Sequence, residues 1–300
     1  MYTALIPQLI YTLFGTSRQL ATGPIAIDSL IIAAGISAIA SVSPDQYITV
    51  VFALTLMTGC IQIVVGIFKL GFIVNFLSKP VLTGFITAAA LIIGFNQFKA
   101  LLKLDIERTN RIQNLLYDLF TNLQQIHLKS LLIGGVAILL IYSLRKVNRR
   151  IPGPLIAVVL GILVMKFFSD QFSGVEIVKE IPKGLPSLSL PVLNYELFYQ
   201  LIPLALTLAF TGFLQAISIA KTLEEEGKRP VLRSNQELIA LGMSNLIGSC
   251  MNSYTSSGSF ARSAINKEMG AQTPMANAFA ALFIGVTLLF LTPVFYFLPN

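Results

Sequence analysis

The sequence predicts an all-α membrane protein that crosses the bilayer many times. Of its 300 residues, 55% are hydrophobic and only 12% are charged, and the mean hydropathy is +0.76. Soluble domains carry about 25% charged residues. Because the deficit of charge runs along the whole chain, the sequence excludes a soluble domain with a single membrane anchor.

Ten apolar segments account for most of the chain, and we interpret each as a helix in the membrane. They are 1–15, 24–40, 47–68, 80–98, 130–144, 154–168, 197–220, 236–251, 257–268 and 275–298. A full span needs about 20 mainly apolar residues. Segments 24–40 and 257–268 are shorter, and each follows a stretch rich in Gly, Ser and Thr. Segment 1–15 is also short, and we expect the sequence to begin inside that helix.

The charged residues between the segments predict the orientation of the chain. When the loops are assigned alternately to two sides, twelve Lys and Arg residues fall on one side and eight on the other. Positive residues mark the cytoplasmic side, so the side that contains 145-RKVNRR-150 is predicted to be cytoplasmic. The Pro-rich stretch 181-IPKGLPSLSLP-191 is then an extended outer loop. With Glu237 counted in a cytoplasmic loop, Asp28 and Arg262 are the two charged residues at membrane depth.

The first short segment is predicted to be a half-helix that begins part-way across the bilayer. Pro24 suits the first helical turn, where no N–H is needed, and Gly23 or Thr22 can cap it. The residues before it would be extended backbone. At membrane depth such backbone is tolerated only where protein surrounds it or where it lines a cavity.

The second short segment is predicted to be a half-helix that begins at Ser259, capped by Gly258 or Ser257. One face of this helix would carry Ser259, Arg262, Ser263 and Asn266. Alternation makes the two half-helices enter from opposite sides, so their N-termini are predicted to face each other. Each N-terminus offers N–H donors and a partial positive charge, and together with Arg262 they would form an anion site.

Structural explanations stay open for the same residues. Gly- and Ser-rich spans also permit close helix packing, and Arg262 could extend its side chain to lipid headgroups. Asp28 would repel an anion unless it is protonated or paired, so it is either a site residue or a first-turn acid in a protein-lined pocket. His127, the only histidine, is predicted to be a solvated loop residue.

Five stretches of the sequence resemble the sulfate permease (SulP) family of anion transporters. They are 15-GTSRQLATGP-24, 178-VKEIPKGLPSLSLP-191, 212-GFLQAISIAK-221, 235-NQELIALGMSNLIGS-249 and 257-SGSFARSAIN-266. The resemblance implies a fourteen-helix fold of two inverted seven-helix repeats, of which this sequence covers the second to about the eleventh helix. The two half-helices correspond to the third and tenth helices of that pattern, each preceded by a short extended segment.

The resemblance also implies a core domain and a gate domain. Residues 1–79 would form the first core repeat without its first helix, and 80–170 the first gate repeat. Residues 171–196 would be an extracellular loop and 197–298 the second core repeat. The rest of the gate domain and a cytoplasmic STAS domain would lie outside this sequence.

The resemblance places the substrate anion between the starts of the third and tenth helices. The binding residues that it implies are Gly23, Pro24, Ile25, Ala26, Ser259, Phe260, Ala261 and Arg262. The family commonly has Ser where this chain has Ala261. Many members have a Glu, associated with proton coupling, where this chain has Gln215. Because Gln does not titrate, Asp28 is a candidate substitute for coupling, and both residues are candidates for lining the site.

The predicted function is secondary transport of inorganic anions by alternating access. A sulfate-like oxyanion is the first choice of substrate, and bicarbonate or chloride are further candidates. Two alternatives stay open: a nucleobase permease of the same fold, which is expected to use a carboxylate in its eighth or tenth helix, and an anion-sensing membrane protein without transport.

We expect no enzymatic activity, because the sequence has no catalytic constellation. Cys60 and Cys250 lie in apolar runs without metal-ligand spacing, so we expect no metal and no cofactor. The expected location is the plasma or inner membrane, with the lipid bilayer and an inorganic anion as partners. A homodimer is expected of the complete protein, and no nucleic acid.

Overall fold

The structure is a computed structural model that describes most of the chain as helix. The described residues are 1–37, 39, 46–72, 84, 87–88, 91, 94, 101–102, 127–148, 151–168, 171–172, 174–178, 184–191, 195–223 and 232–299. The helices are α1 (Tyr2–Phe14), α2 (Ala26–Ser37), α3 (Tyr47–Ile67), α4 (Leu128–Val147), α5 (Gly153–Phe167), α6 (Tyr195–Leu223), α7 (Ser234–Ser249), α8 (Phe260–Glu268) and α9 (Met275–Val286). Two short strands, β1 (Ala21–Gly23) and β2 (Ser257–Ser259), precede α2 and α8.

The predicted helical segments agree with this architecture. Eight of the ten coincide with a helix whose ends lie within three residues of the predicted ends. The segment 80–98 lies mostly outside the described residues, and 275–298 begins at the start of α9 but extends beyond its end. The last segment continues from α9 through a π-helical turn, Thr287–Leu291, into a 3-10 helix, Thr292–Phe297. Four described helical stretches are long and apolar enough to span a membrane: Tyr47–Ile67, Leu128–Val147, Tyr195–Leu223 and Met275–Phe297.

One compact unit consists of Met1–Ile86 and Gly184–Val286. Its centre is the packing of α3 against α7, in which the two backbones nearly touch. A Cβ atom added at Gly59 would lie 2.6 Å from the backbone nitrogen of Leu246 and 2.8 Å from the carbonyl oxygen of Gly242. Small residues at a helix interface permit this approach. Helix α1 packs against α7 and α9.

A buried apolar cluster joins α2, α3 and α6 in the same unit. It includes Ile32 and Ile36 from α2, Leu54 from α3, and Leu201 and Leu208 from α6. Lipid tails are as apolar as these side chains. Van der Waals packing therefore holds the helices together here, rather than removal of apolar surface from water.

The other compact unit consists of Thr87–Lys183 and Thr287–Asn300. Helices α4 and α5 pack so that a Cβ atom at Gly153 would lie 3.5 Å from Ile141. His127, predicted to be a solvated loop residue, instead caps α4, and its Nδ1 accepts a hydrogen bond from the backbone N–H of Ser130 at 3.3 Å. His127 lies outside the helix and is partly buried. Its capping role was not predicted, because a polar residue before an apolar run is compatible with both a loop and a cap position. The division into core and gate domains stays a prediction.

Candidate functional site

The two strands form one antiparallel, largely buried pair within the first unit. Ala21 pairs with Ser259, Thr22 with Gly258 and Gly23 with Ser257. The pair satisfies backbone groups that would otherwise lack partners in a membrane. The chain then leaves β1 through Pro24 and Ile25 into α2, and it leaves β2 directly into α8. The predicted extended segments before the two half-helices are confirmed.

The first half-helix begins later than predicted. Pro24 lies before the first turn rather than in it, and the first residue of α2 is Ala26. The carbonyl of Ile25 accepts the N–H of Ser29 at 3.2 Å, so Ile25 takes the capping position that was predicted for Gly23 or Thr22. The physical reason is that residues 21–23 pair with β2 and cannot also adopt helical backbone angles.

The second half-helix begins one residue later than predicted. Ser259 is its N-cap and Phe260 its first residue, because Ser257, Gly258 and Ser259 all pair with β1. The side chain of Ser259 makes no capping hydrogen bond. The first N–H groups of α8 are therefore not occupied by a side-chain cap at Ser259, which leaves them available as donors.

Arg262 joins the two predicted binding stretches. Its Nη2 donates a hydrogen bond to the carbonyl oxygen of Pro24 at 3.3 Å. A Cβ atom at Gly23 would lie 2.7 Å from the same nitrogen, so a larger side chain there would displace the guanidinium. The Nε of Arg262 is buried and has no hydrogen-bond partner among the described residues. The guanidinium therefore keeps a free donor beside the start of α2.

The other predicted binding residues differ in exposure. Gly23 is buried, and Pro24, Ile25 and Ser259 are partly buried. Ala26, Phe260 and Ala261 are exposed, with 46% of the Phe260 surface accessible. The strand residue Gly23 is thus buried, whereas the first residues of α2 and α8 are accessible.

The remaining polar residues of α8 hold the chain that enters β1. The hydroxyl of Ser263 accepts the N–H of Ala21 at 2.8 Å, and Asn266 donates to the carbonyl of Gln19 at 3.3 Å. From α9, Asn277 donates to the carbonyl of Leu20 at 2.7 Å. The predicted polar face of α8 is therefore shared: Ser263 and Asn266 position β1, while Arg262 points to Pro24.

The sequence analysis missed a buried amide network behind β2. Asn245 of α7 donates to the Oε1 of Gln62 of α3 at 2.9 Å, and Gln62 donates to the carbonyl of Ala209 at 3.2 Å. The Oδ1 of Asn245 accepts the N–H of Ser256 at 2.8 Å. These bonds tie the segment before β2 to three helices. The sequence pattern that could have indicated this network is the presence of amide side chains, Gln62 and Asn245, inside apolar runs.

Asp28 and Gln215 lie in the wall around the strand pair. Asp28 is fully buried in the first turn of α2, beside Ser257. Neither of its carboxyl oxygens has a hydrogen-bond partner among the described residues, and the same holds for the hydroxyl of Ser257 and the Oε1 of Gln215. Helix α6 contacts β2 at this point. A Cβ atom added at Gly212 of α6 would lie only 3.2 Å from the Cβ of Ser257.

Glu237 was placed wrongly in a cytoplasmic loop. It lies in the first turn of α7 and is fully buried. Its carboxylate accepts the Tyr11 hydroxyl at 2.6 Å, the N–H and hydroxyl of Thr16 at 2.6 and 2.5 Å, and the N–H of Ser17 at 3.0 Å. These donors explain why a carboxylate is tolerated there. The side chain clamps the turn between α1 and β1.

This arrangement can recognise an anion through N–H donors and one guanidinium. Helix starts carry a partial positive charge and donors without partners. Among the described residues, no group of three or more His, Cys, Asp or Glu side chains could hold a metal ion.

The fold is that of a multi-pass helical membrane protein in which two short helices, α2 and α8, each follow one strand of an antiparallel pair. The chain belongs to the sulfate permease family, whose family model matches residues 1–300. The predicted family and fold class are confirmed. Two relatives from Arabidopsis thaliana are named as sulfate transporters. They are a probable sulfate transporter 4.2, 33% identical over 308 residues, and the chloroplastic sulfate transporter 4.1, 32% identical over 308 residues.

Each of these alignments covers 100% of this chain but only 45% and 44% of the relatives, so the chain spans less than half of their length. Two solved structures share the fold. SLC26A9 has a TM-score of 0.84 at 24% identity, over 99% of this chain and 50% of that one. The transmembrane domain of BicA, a cyanobacterium bicarbonate transporter, has 0.80 at 23% identity, over 99% of this chain and 76% of that one.

Proposed function

We propose that this chain carries the substrate site of a secondary transporter that moves inorganic anions across the membrane by alternating access. The anion would lie between the starts of α2 and α8, with a sulfate-like oxyanion as the preferred substrate. The observation that carries the proposal is the contact of Arg262 of α8 with Pro24, at the start of α2, at 3.3 Å. It brings the positive charge of one helix to the start of the other, across the strand pair.

The proposed binding residues act mainly through their backbones. Gly23, Pro24, Ile25 and Ala26 form the entry to α2, and Ser259, Phe260, Ala261 and Arg262 form the entry to α8. Ala261 offers no hydroxyl, so recognition at that position depends on its N–H group. Helix-terminal N–H groups bind many oxyanions without a dedicated side chain. The charge of Arg262 adds to this attraction.

A doubly charged oxyanion suits this set of donors best. Attraction to a helix dipole and to a guanidinium increases with the charge of the ligand, and the several oxygens of sulfate can accept from N–H groups on both helices. The names of the curated relatives support sulfate, whereas the name of BicA supports bicarbonate as a competitor. Gln215 is neutral and leaves the positive potential of the site undiminished.

Flux measurements test this proposal. The complete protein that contains this chain is reconstituted in proteoliposomes, and uptake of labelled sulfate, bicarbonate and chloride is compared with that of empty liposomes. We expect saturable sulfate uptake that the other two anions inhibit when they are in excess. If none of the anions enters while sulfate binding persists, the protein is a sensor and the transport proposal is wrong.

A further inference from the structure

Asp28 is a buried acid beside the proposed anion site, and its carboxyl group makes no hydrogen bond that would explain its presence there. It is 0% exposed, and neither carboxyl oxygen accepts a hydrogen bond from any described residue. An ionised carboxylate in such a place costs far more free energy than a neutral acid. Glu237 is equally buried but accepts four hydrogen bonds. By this comparison, Asp28 lacks the hydrogen-bond donors that stabilise an ionised carboxylate held for structure.

Among the described residues, no cation forms an ion pair with the carboxyl group of Asp28. From β2, the hydroxyl of Ser257 lies beside the carboxyl group. On the segment before β2, Tyr254 is titratable, and its hydroxyl lies 3.4 Å from that of Ser29. On α8, Arg262 donates to the carbonyl of Pro24, while Lys267 and Glu268 lie at the opposite end of that helix.

Helices α3 and α6 join α2 in a cluster of uncharged, apolar side chains that begins one turn after Asp28, at Ile32. Helix α3 presents apolar side chains such as Val50 and Leu54. Helix α6 presents Gln215, and its charged residues Glu196 and Lys221 lie in its first and last turns. A proton is therefore the ligand that best neutralises Asp28.

The position of Asp28 couples its charge to the anion. It lies two residues after Ala26, within the first turn of α2, whose start belongs to the proposed site. An ionised carboxylate there would offset the positive end of the helix and repel an incoming anion. Anion binding therefore favours the protonated carboxyl. By reciprocity, proton binding must strengthen anion binding by the same factor.

We propose that Asp28 is a proton-binding group of the anion site, so that a proton enters and leaves together with the anion. This proposal rests on the proposed transport function. The carboxylate takes one proton from the solution on the side where the anion binds and becomes a neutral acid. After the site opens to the other side, the acid returns the proton to the solution as the anion leaves, and no other group needs to change its charge.

The decisive variant is Asp28→Asn, which keeps the shape of the neutral acid and cannot titrate. Sulfate uptake and internal acidification, reported by an entrapped pH-sensitive dye, are measured in the same proteoliposomes at several external pH values. For the native protein we expect uptake to rise as pH falls, with acidification in proportion. For Asp28→Asn we expect acidification at the level of empty liposomes and an uptake that no longer depends on pH.

Two further variants control for damage to the fold. Asp28→Glu keeps a titratable group and is expected to retain proton movement. Ser29→Ala changes the next residue of the same helical turn, removes hydroxyl contacts to Ile25 and Tyr254, and is expected to retain it as well. Proton movement that continues at the native ratio in Asp28→Asn would overturn the proposal, as would its loss in Ser29→Ala.

A spectroscopic measurement separates this proposal from the transport function. Infrared difference spectra between Asp28→Asn and the native protein report the C=O stretch of a protonated buried carboxyl group. We expect this band in the native protein only, and we expect added sulfate to maintain it to higher pH. If no anion is transported but the band is present and responds to sulfate, the transport function fails while the proton site stands. Absence of the band overturns the proton site.

Discussion

Arg262 and Asp28 occupy similar positions in the two half-helices but have different roles. Both lie in the first turn of a half-helix that follows a strand of the same pair. The guanidinium reaches the carbonyl of Pro24 and keeps a free donor, whereas the carboxyl has no partner among the described residues. A permanent charge attracts an anion at every pH, and a titratable one can modulate that attraction.

Replacement of Arg262 tests its part in anion binding. A hydrogen bond to a charged group contributes about 1.5–3 kcal/mol, so we expect Arg262→Ala to weaken sulfate binding by roughly 10- to 100-fold. Equilibrium binding of labelled sulfate to the purified complete protein measures this. The matched control is Arg233→Ala, which removes the same charge from an exposed position and should leave the affinity unchanged. Equal affinity in both variants would restrict Arg262 to the structural contact with Pro24.

The residues of the candidate site differed in how far the sequence could predict them. Arg262 and Gly23 stand out because a charge and a glycine interrupt apolar runs, and their proximity followed from the inverted arrangement of the two half-helices. Glu237 could not be assigned in the same way. A polar side chain near a helix end is compatible with solvent, and only the positions of the donors on distant segments show that it is buried.

Glu237 is also the link between two elements, because it clamps the turn before β1 to the start of α7. We expect Glu237→Ala to lower the free energy of unfolding by at least about 3 kcal/mol. It would leave the Tyr11 hydroxyl and the N–H groups of Thr16 and Ser17 without their acceptor, at about 1–3 kcal/mol each. The apparent melting temperature in detergent measures the effect. Tyr11→Phe removes one donor and should cost less, so equal losses would contradict the clamp.

The contact between α3 and α7 makes a second prediction at the scale of elements. A methyl group at Gly59 would meet the backbone of α7 at 2.6 Å, and overpacking of this kind costs about 1–3 kcal/mol. We therefore expect Gly59→Ala to lower the apparent melting temperature. The control is Gly135→Ala in α4, where an added Cβ atom meets no described atom within 4 Å. Equal effects of both substitutions would show that the tight contact is absent.

The elements themselves were largely predictable, whereas the exact starts of the two half-helices were not. Apolar runs of the right length predict helices because lipid leaves the backbone few alternatives. The starts of α2 and α8 moved because residues 21–23 and 257–259 pair with each other. That pairing joins segments more than 200 residues apart, and no local propensity of Gly, Ser or Thr specifies a partner at such a distance.

At the scale of the whole molecule, the orientation in the membrane is the prediction that remains to be measured. After Cys60→Ser and Cys250→Ser, single cysteines are introduced at two exposed positions, Lys146 and Ser187. An impermeant maleimide should label Ser187→Cys in intact cells and Lys146→Cys only after permeabilisation, because basic loops stay in the cytoplasm. The reverse pattern would invert the topology, and labelling of both positions in intact cells would contradict the alternation.

The strand pair also sets the order in which the protein can be made. Pro24 and Arg262 are 238 residues apart, and ribosomes add about 5–20 residues per second. The first strand therefore waits roughly 10 to 50 s in the nascent chain before its partner is synthesised. Throughout that interval its backbone N–H and C=O groups need other hydrogen-bond partners, such as water, the translocon or a chaperone. Assembly of the proposed binding site is thus a late event of synthesis. It depends on which molecules bind the unpaired first strand until the second strand has been made.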